Sequence, residues 1–366
     1  MIEIPTTMQA FVLMGHGDLD QLVFHDDWPI PELTANDVLI RVGACGLNNT
    51  DVNTRSAWYS KGNTQATTGT ALANTRPDDS TWGGAAVSFP RIQGADAVGT
   101  VVRVGEKVDS AIVGHRVIVD GWMRDWSDPM DYAKTGYFGS ERDGGFAQYA
   151  AVDYRQVHAI TTHLCDAELA TFACSYVTAE NMLNRAQVGP NDSVLITGAS
   201  GGVGSALVQL ANRRRATCIA MCAAEKADAV LQLGADAVID RNCPDVRAAL
   251  RDAVGREPVS VVADVVGGSR WPDFINVLGR GGRYTCAGAI AGPIVEFDLR
   301  TFYLRDLTFT GATVPTPQTF TDLVGYIERD EIKPLLAARF PLKELHKAQT
   351  TFIEKRHIGN IVVEPN

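Results

Sequence analysis

The chain has 366 residues, 45% of them apolar and 21% charged, an ordinary globular composition in too long a chain for one comfortable core. The formal net charge is -10, and the basic residues are scattered apart from Arg213, Arg214 and Arg215, so a nucleic acid is not an expected partner. No apolar run reaches the roughly 20 residues needed to span a bilayer, so a membrane is not an expected partner either.

The opening stretch Met1–Phe11 carries Glu3 and Pro5 where a signal peptide needs a basic and then an apolar region. Ala10–Met14, Val38–Val42, Ala97–Val104 and Arg116–Val119 read as short strands separated by turns, the texture of a small, mostly β domain. Two long stretches are irregular. Ser60–Arg91 is rich in Thr, Ala, Asn, Gly and Asp, and loops of that length are lids, binding loops or disorder. Gly121–Gly145 carries Trp122, Trp126, Tyr132, Tyr137 and Phe138, which either line a pocket or pack on the domain surface. The seven cysteines are odd in number and contain no C-x-x-C pair, a pattern that predicts reduced thiols and a cytoplasmic location.

From about Asp166 the pattern changes. Asp166–Ala186 predicts a helix, and short apolar strands then alternate with helices: Val194–Thr197, a helix from Gly202, Cys218–Cys222, a helix from Glu225, Ala237–Ile239, Val259–Asp264 and Arg283–Ala287. Strands apolar on both faces and separated by helices indicate a parallel sheet covered on both sides, a doubly wound α/β domain. Near Leu307 the alternation ends, and the tail closes with a helix and the strand-like Ile361–Val363.

The sharpest local signal follows Val194–Thr197. The turn Gly198-Ala199-Ser200-Gly201-Gly202-Val203-Gly204 leads into a helix with Val203, Ala206, Leu207, Leu210 and Ala211 on one face. A strand, a glycine-rich turn and a helix N-terminus together make a pyrophosphate cradle, because the open helix end presents unpaired N–H groups and positive potential. Ala199 stands where the strict G-x-G-x-x-G pattern has its first glycine. The next strand ends at the neutral Cys222 and Ala223, without the carboxylate that binds the ribose 2′-hydroxyl of NAD, so NADP is the expected coenzyme. Lys226 and Arg241 can supply charge for a 2′-phosphate, and are equally readable as surface cations. Glu225, three residues beyond the strand, keeps NAD open.

Across nearly the whole chain the motifs resemble those of the medium-chain dehydrogenase/reductase superfamily, most closely its zinc-free quinone oxidoreductase-like branch. The resemblance rests on Val38–Asp51, Phe89–Gly94, Val98–Gly105, Val113–Val117, Asp143–Tyr149, the phosphate turn, Leu233–Asp240, Asp264–Gly268, Gly281–Arg283 and His357–Val363. It implies a GroES-like, mostly β catalytic domain at 1–160, a six-stranded Rossmann domain at 161–310 and a return to the catalytic domain at 311–366. It also implies a cleft between the domains, a homodimer or homotetramer, and Thr178, Gly267, Gly288 and Ala289 around the nicotinamide.

Zinc members of the superfamily hold a catalytic metal at three positions, which here read Asn48, Ala95 and Cys174. One possible ligand of three does not hold Zn²⁺, and Gly121–Gly145 lacks the four cysteines of the structural site, so no metal is expected. Cys45 reads as a packed core thiol.

Hydride transfer without a metal leaves negative charge on oxygen that needs a hydrogen-bond donor or a proton source. Asn48 occupies a lost ligand position, Thr50 matches the relay hydroxyl of zinc alcohol dehydrogenases, and Tyr59 falls where quinone reductases carry a pocket tyrosine. Asn53 stands where the relay continues through His. Each has a structural alternative: Asn48 bonding its own turn, Thr50 capping the following helix, Tyr59 packing. Asp51 reads as fixing local structure. The expected activity is zinc-independent, NADP(H)-dependent reduction of a quinone or α,β-unsaturated carbonyl. Metal-free carbonyl or alcohol oxidoreduction and non-catalytic NADPH binding are the alternatives.

Overall fold

A computed structural model describes residues 4–70, 74–255 and 258–365. The first three residues of the opening stretch and residues 71–73 of the long loop lie outside that description. The chain falls into two units: residues up to Asn63 with Thr68–Cys174 and Thr316 onward, and Thr64–Thr67 with Ser175–Pro315.

The first unit is mostly β. Thr7–Leu13 and Leu22–Pro29 form an antiparallel hairpin. A larger sheet runs in spatial order Leu336–Pro341, Asn360–Glu364, Asp37–Gly46, Asp96–Val104, Arg116–Val119 and Val157–Ala159, with Tyr149–Asp153 also paired to Asp37–Gly46. The four strands expected in the first third fall on four of these runs. The tail joins this unit because Val362 and Val363 pair with Gly46 and Cys45, so the last strand completes a sheet begun over 300 residues earlier. Phe11, Ile40, Phe138, Phe146, Leu345 and Val363 share its core. Helix α1 (Asn49–Arg55) follows directly on the strand that ends at Gly46.

The single helix expected over Asp166–Ala186 is two: a short turn at Asp166–Leu169 and helix α2 (Ala173–Arg185). At the break, the Thr171 hydroxyl donates to the Glu168 carbonyl at 2.7 Å, a local side-chain bond that competes with the helical ladder.

Among the described residues the second unit carries six parallel strands: β1 (Ser193–Ile196), β2 (Thr217–Cys222), β3 (Ala237–Asp240), β4 (Val259–Asp264), β5 (Leu278–Cys286) and β6 (Thr308–Gly311). Their order, β3-β2-β1-β4-β5-β6, is the doubly wound Rossmann order. Val194, Leu195 and Ile196 are all fully buried, as expected of a central strand covered on both faces. The sheet continues past Leu307, where the alternation seemed to stop: β6 is four residues long and pairs only with β5.

Between β1 and β2 runs helix α3 (Gly202–Arg213), buried on every face from Gly204 to Ala211. It lies so close to the turn after β1 that a Cβ on Gly204 would fall 2.1 Å from the Gly198 carbonyl oxygen and 2.7 Å from Ala199 Cα. Backbone cannot yield as a flexible side chain does, so Gly204→Ala should destabilise the protein by about 1–3 kcal/mol. Gly311→Ala, with nothing within 4 Å of the added carbon, should stay within about 0.5 kcal/mol. Urea denaturation of the two variants checks this, and equal stabilities would refute the close approach.

Candidate active site and dinucleotide loop

In the first unit the site is built around the start of α1. Asn48 is the N-cap, and its backbone N–H donates to Asp51 Oδ2 at 2.8 Å in a capping box. Asp51 Oδ1 accepts the Gly94 N–H at 3.2 Å, so one carboxyl joins the helix start to a segment 43 residues away. Gln93 Nε2 adds a bond to the Asp51 carbonyl at 2.9 Å. Thr50 lies inside the helix and does not cap it; the cap is Asn48. Asn48 is only 7% exposed, and its Nδ2 has no hydrogen-bond partner. The Asn48 side chain nevertheless favours the charged form of Asp96. An unpaired buried donor costs about 1–3 kcal/mol.

Asp96 opens its strand and accepts the Cys174 N–H at 2.9 Å from the start of α2. Burial pushes Asp96 up to about 7, against the Asn48 amide and the Cys174 N–H, which favour its charge. Asp51 is likewise pushed to about 7, by burial first and then by the charge of Asp96, against the N–H groups of Asn48 and Gly94. Cys45 is wholly buried beside both carboxyls, and burial raises its thiol, as expected of a core cysteine.

Two phenols approach from other segments. The Tyr59 hydroxyl meets the side chains of Thr50 and Asn53, bringing two of the expected donors together with the asparagine at the relay position. Burial raises Tyr59, and the Cys174 and Asp51 charges add to this. Tyr137 belongs to a small hairpin in which Trp122 and Met123 pair with Tyr137 and Gly136. Its hydroxyl shares a hydrogen bond with the Cys174 side chain and also feels Asp96 and Asp51; burial, first among these causes, holds it well above the ordinary phenol range. The aromatic stretch therefore divides. Trp122, Tyr137 and Phe138 are buried, whereas Tyr132 is exposed and Trp126 lies under the Arg155 guanidinium at 5.2 Å.

The long loop is anchored rather than free. Arg55, fully buried, donates to the carbonyls of Gly17 and Gly69 at 2.7 and 2.8 Å and to Gln349 Oε1 at 3.1 Å. Ser60 Oγ accepts the Arg76 N–H at 2.8 Å, and His16 Nε2 bonds Ser80 Oγ at 2.8 Å.

Zinc coordination needs at least three thiolate, imidazole or carboxylate donors in tetrahedral reach. Asn48, Ala95 and Cys174 offer an amide, a methyl and a thiol, so this donor set does not fit the metal. Among the described residues no group of three His, Cys, Asp or Glu has metal-binding geometry.

In the second unit, the N–H groups of Gly202, Val203 and Gly204 open α3 and have no intrahelical acceptors. The N-cap, Gly201, has no side chain to occupy them, and a Cβ there would meet only Gly198 O, at 3.6 Å. Ala199 is held by its N–H on the Met221 carbonyl at 3.1 Å, and Ser200 is half-buried beside it. This cradle suits a dinucleotide pyrophosphate. Beyond β2, the Arg241 N–H donates to the Cys222 carbonyl at 2.7 Å, and the Arg241 charge reaches Lys226, whose ammonium is lowered by burial and then by that arginine. Glu225 is exposed in the turn Ala224–Lys226.

Asp264, fully buried at the end of β4, accepts the Tyr284 hydroxyl at 2.7 Å, the Thr197 hydroxyl at 2.5 Å and the Val266 N–H at 2.8 Å. It holds the loop carrying Gly267, whose φ of +60° suits glycine. Ala289 packs there, 3.3 Å from where a Gly267 Cβ would stand, and Gly288 lies against Val265. Thr178 is half-buried on α2.

Residues 34–162 match the family model described as alcohol dehydrogenase GroES-like domain, and residues 202–329 the model described as zinc-binding dehydrogenase. The chain belongs to the medium-chain dehydrogenase/reductase superfamily. A crystal structure from Sinorhizobium meliloti 1021, assigned to the alcohol dehydrogenases, is 44% identical with a TM-score of 0.90, covering 99% of this chain and 98% of that one. The NAD-dependent alcohol dehydrogenase of Sulfolobus acidocaldarius is 26% identical over 93% of this chain and 95% of its own length. The quinone oxidoreductase of Lama guanicoe is 26% identical over 93% and 92%. The chain is thus an oxidoreductase of the NAD(P)-dependent kind.

Sequence reasoning overlooked Asp96 and Tyr137. A carboxyl two residues after Gly94 and a tyrosine in an irregular stretch carry no periodic signal, and only the strand pairing of Gly46 with Asp96 points to the first.

Both buried carboxyls have native values above the ordinary 3.8. Their contribution to stability is therefore fully present below that value and is lost as pH rises through about 7. The melting temperature should fall between pH 5 and pH 8.5, and Asp96→Asn, which keeps an acceptor for the Cys174 N–H, should flatten the slope. A wild-type melting temperature that rises over this range would contradict the assignment.

Proposed function

We propose that this protein is a zinc-independent, NADP(H)-dependent reductase of quinones or α,β-unsaturated carbonyls. The observation that carries the reading is the buried, unpartnered Asn48 Nδ2, which stands at a position where zinc members of the superfamily place a metal ligand. The coenzyme, when bound, supplies the hydride. Asn48 then offers its N–H to the oxygen on which charge develops, and Thr50 and Tyr59 hold a hydroxyl chain that can carry the proton. Enones and quinones are already electrophilic, so orientation does most of the work and no strong acid is required.

The choice of NADP rests on charge. No carboxylate ends β2, and Lys226 and Arg241 lie within electrostatic reach of each other just beyond it. Gly201, Gly202, Val203 and Gly204 would receive the pyrophosphate, with Ala199 and Ser200 shaping the turn, and Thr178, Gly267, Gly288 and Ala289 would lie against the nicotinamide. The joint variant Lys226→Ala and Arg241→Ala should weaken NADPH binding about tenfold or more, the scale of losing charged hydrogen bonds. Its NADH binding should stay within about twofold. Coenzyme fluorescence titration reads both, and equal losses for the two coenzymes would reverse the assignment. NADPH oxidation tested against a quinone, an enone and an aldehyde separates the activities. Turnover of the aldehyde alone supports metal-free carbonyl reduction through Thr50 and Tyr59, the reading that their contact with each other favours. Binding with no turnover supports a non-catalytic role.

We further propose a homodimer. Strand β6 is an open edge, and the preceding segment exposes Ile294, Leu299, Tyr303 and Leu304, an apolar group that association would cover. Light scattering should give twice the chain mass, and Leu299→Asp with Leu304→Asp should give a monomer; a monomeric wild type ends the proposal. No described cysteine is in a disulfide, which agrees with a cytoplasmic location, and no described helix is long and apolar enough to cross a membrane.

A further inference from the structure

Arg270 ends the turn Gly268–Arg270 that follows β4 and the loop carrying Gly267. Its guanidinium has partners on two separate stretches. Nε pairs with Asp273 Oδ2 at 3.3 Å, three residues on in the helix Trp271–Asn276. Nη1 donates to the Arg241 carbonyl, and Nη2 reaches Cys243 Sγ at 3.9 Å. In the sheet, β2 and β1 lie between β3 and β4, so this one side chain joins loops that the strand order keeps apart. The packing beneath brings them within reach: Ile239 of β3 shares a core with Trp271 and Phe274.

The side that reaches out is itself firmly placed. The Gly268 N–H donates to the Gly292 carbonyl at 3.0 Å, and a Cβ on Gly268 would lie 2.8 Å from the Ala291 carbonyl oxygen. The turn that receives it is held from β3 and β2 alone: the Arg241 N–H donates to the Cys222 carbonyl at 2.7 Å, and the Asn242 and Cys243 N–H groups to Asp240, each at 3.0 Å. Arg270 supplies the third hold, from the side of β4. A planar fork of donors can make this span while keeping its carboxylate, and the single ammonium of a lysine cannot.

The turn matters because of what it carries. Cys222 pairs with Asp240, so Arg241 leaves the end of β3 beside the end of β2, with Lys226 four residues beyond Cys222. The carboxyl ends of the strands are where open α/β sheets take their ligands. The Arg241 side chain is exposed, and a long exposed side chain keeps a direction only as far as its backbone is fixed.

We propose that Arg270 is a positioning residue for coenzyme choice: it bolts the turn Arg241–Cys243 in place and so holds Arg241 where the ribose 2′-phosphate of the coenzyme binds. The proposal rests on the NADP reading above.

The test measures NADPH and NADH dissociation constants by coenzyme fluorescence for wild type, Arg270→Lys, Arg241→Ala and the two substitutions together. Wild type should bind NADPH the more tightly. Arg270→Lys keeps a cation beside Asp273 and loses the span, so NADPH binding should weaken about tenfold, the scale of a charge-assisted hydrogen bond. Its NADH binding should stay within about twofold of wild type, and its melting temperature should hold. In the Arg241→Ala background the same substitution should cost NADPH less than about twofold, because the residue it acts through is gone. A loss that persists without Arg241 overturns the positioning role, as does a loss shared equally by both coenzymes. An Arg270→Lys protein that keeps the wild-type preference overturns it too, and leaves the NADP reading in place. A wild type that binds NADH as tightly as NADPH overturns both.

Discussion

Much of the site depends on how one carboxyl is held. Asp51 takes the Asn48 N–H on one oxygen and the Gly94 N–H on the other, so it closes the first turn of α1 and fastens that turn to the segment leading into the next strand. With both oxygens engaged by backbone, Asp51 is a poor candidate for a base and a good one for a brace. Its burial beside Asp96 places two acids where only one charge is easily borne, and burial, with nearby charges adding to it, holds the neighbouring phenols neutral. A neutral phenol is a hydrogen-bond donor.

The two units answer to different physics. The second is governed by approach distance: a glycine lets helix meet turn, and the helix end is left open for phosphate. The first is governed by polarity at depth. Asn48, Asp51, Asp96, Cys174 and Tyr137 are drawn from four separate stretches, and each owes its place to a strand or helix beginning beside it. A group of side chains assembled this way has its directions fixed by the fold.

The Rossmann unit was legible because its signals are local. Apolar strands of four to six residues, a glycine turn and an amphipathic helix follow one another within a short window. The last strand escaped notice because Thr308–Gly311 is short, half polar and ends in glycine. Asn48, Thr50 and Tyr59 could be named from their place in a motif, but not the partners that decide what each does. Thr50 turned out to lie within the helix, with Asn48 as the cap, and Asn48 to keep its amide unbonded. Tyr137 was invisible because a two-residue hairpin strand has no period, and because its partner Cys174 is remote in sequence. Pairing at a distance is the information that one chain read in order conveals least.

Arg55 carries a last implication. Its guanidinium ties Gly17, Gly69 within the long loop and Gln349 of the carboxy-terminal helix together, with no solvent to share. The loop is thereby pinned at Gly69. Sequence change elsewhere in the loop then leaves that anchor, and with it the buried end of α1, in place.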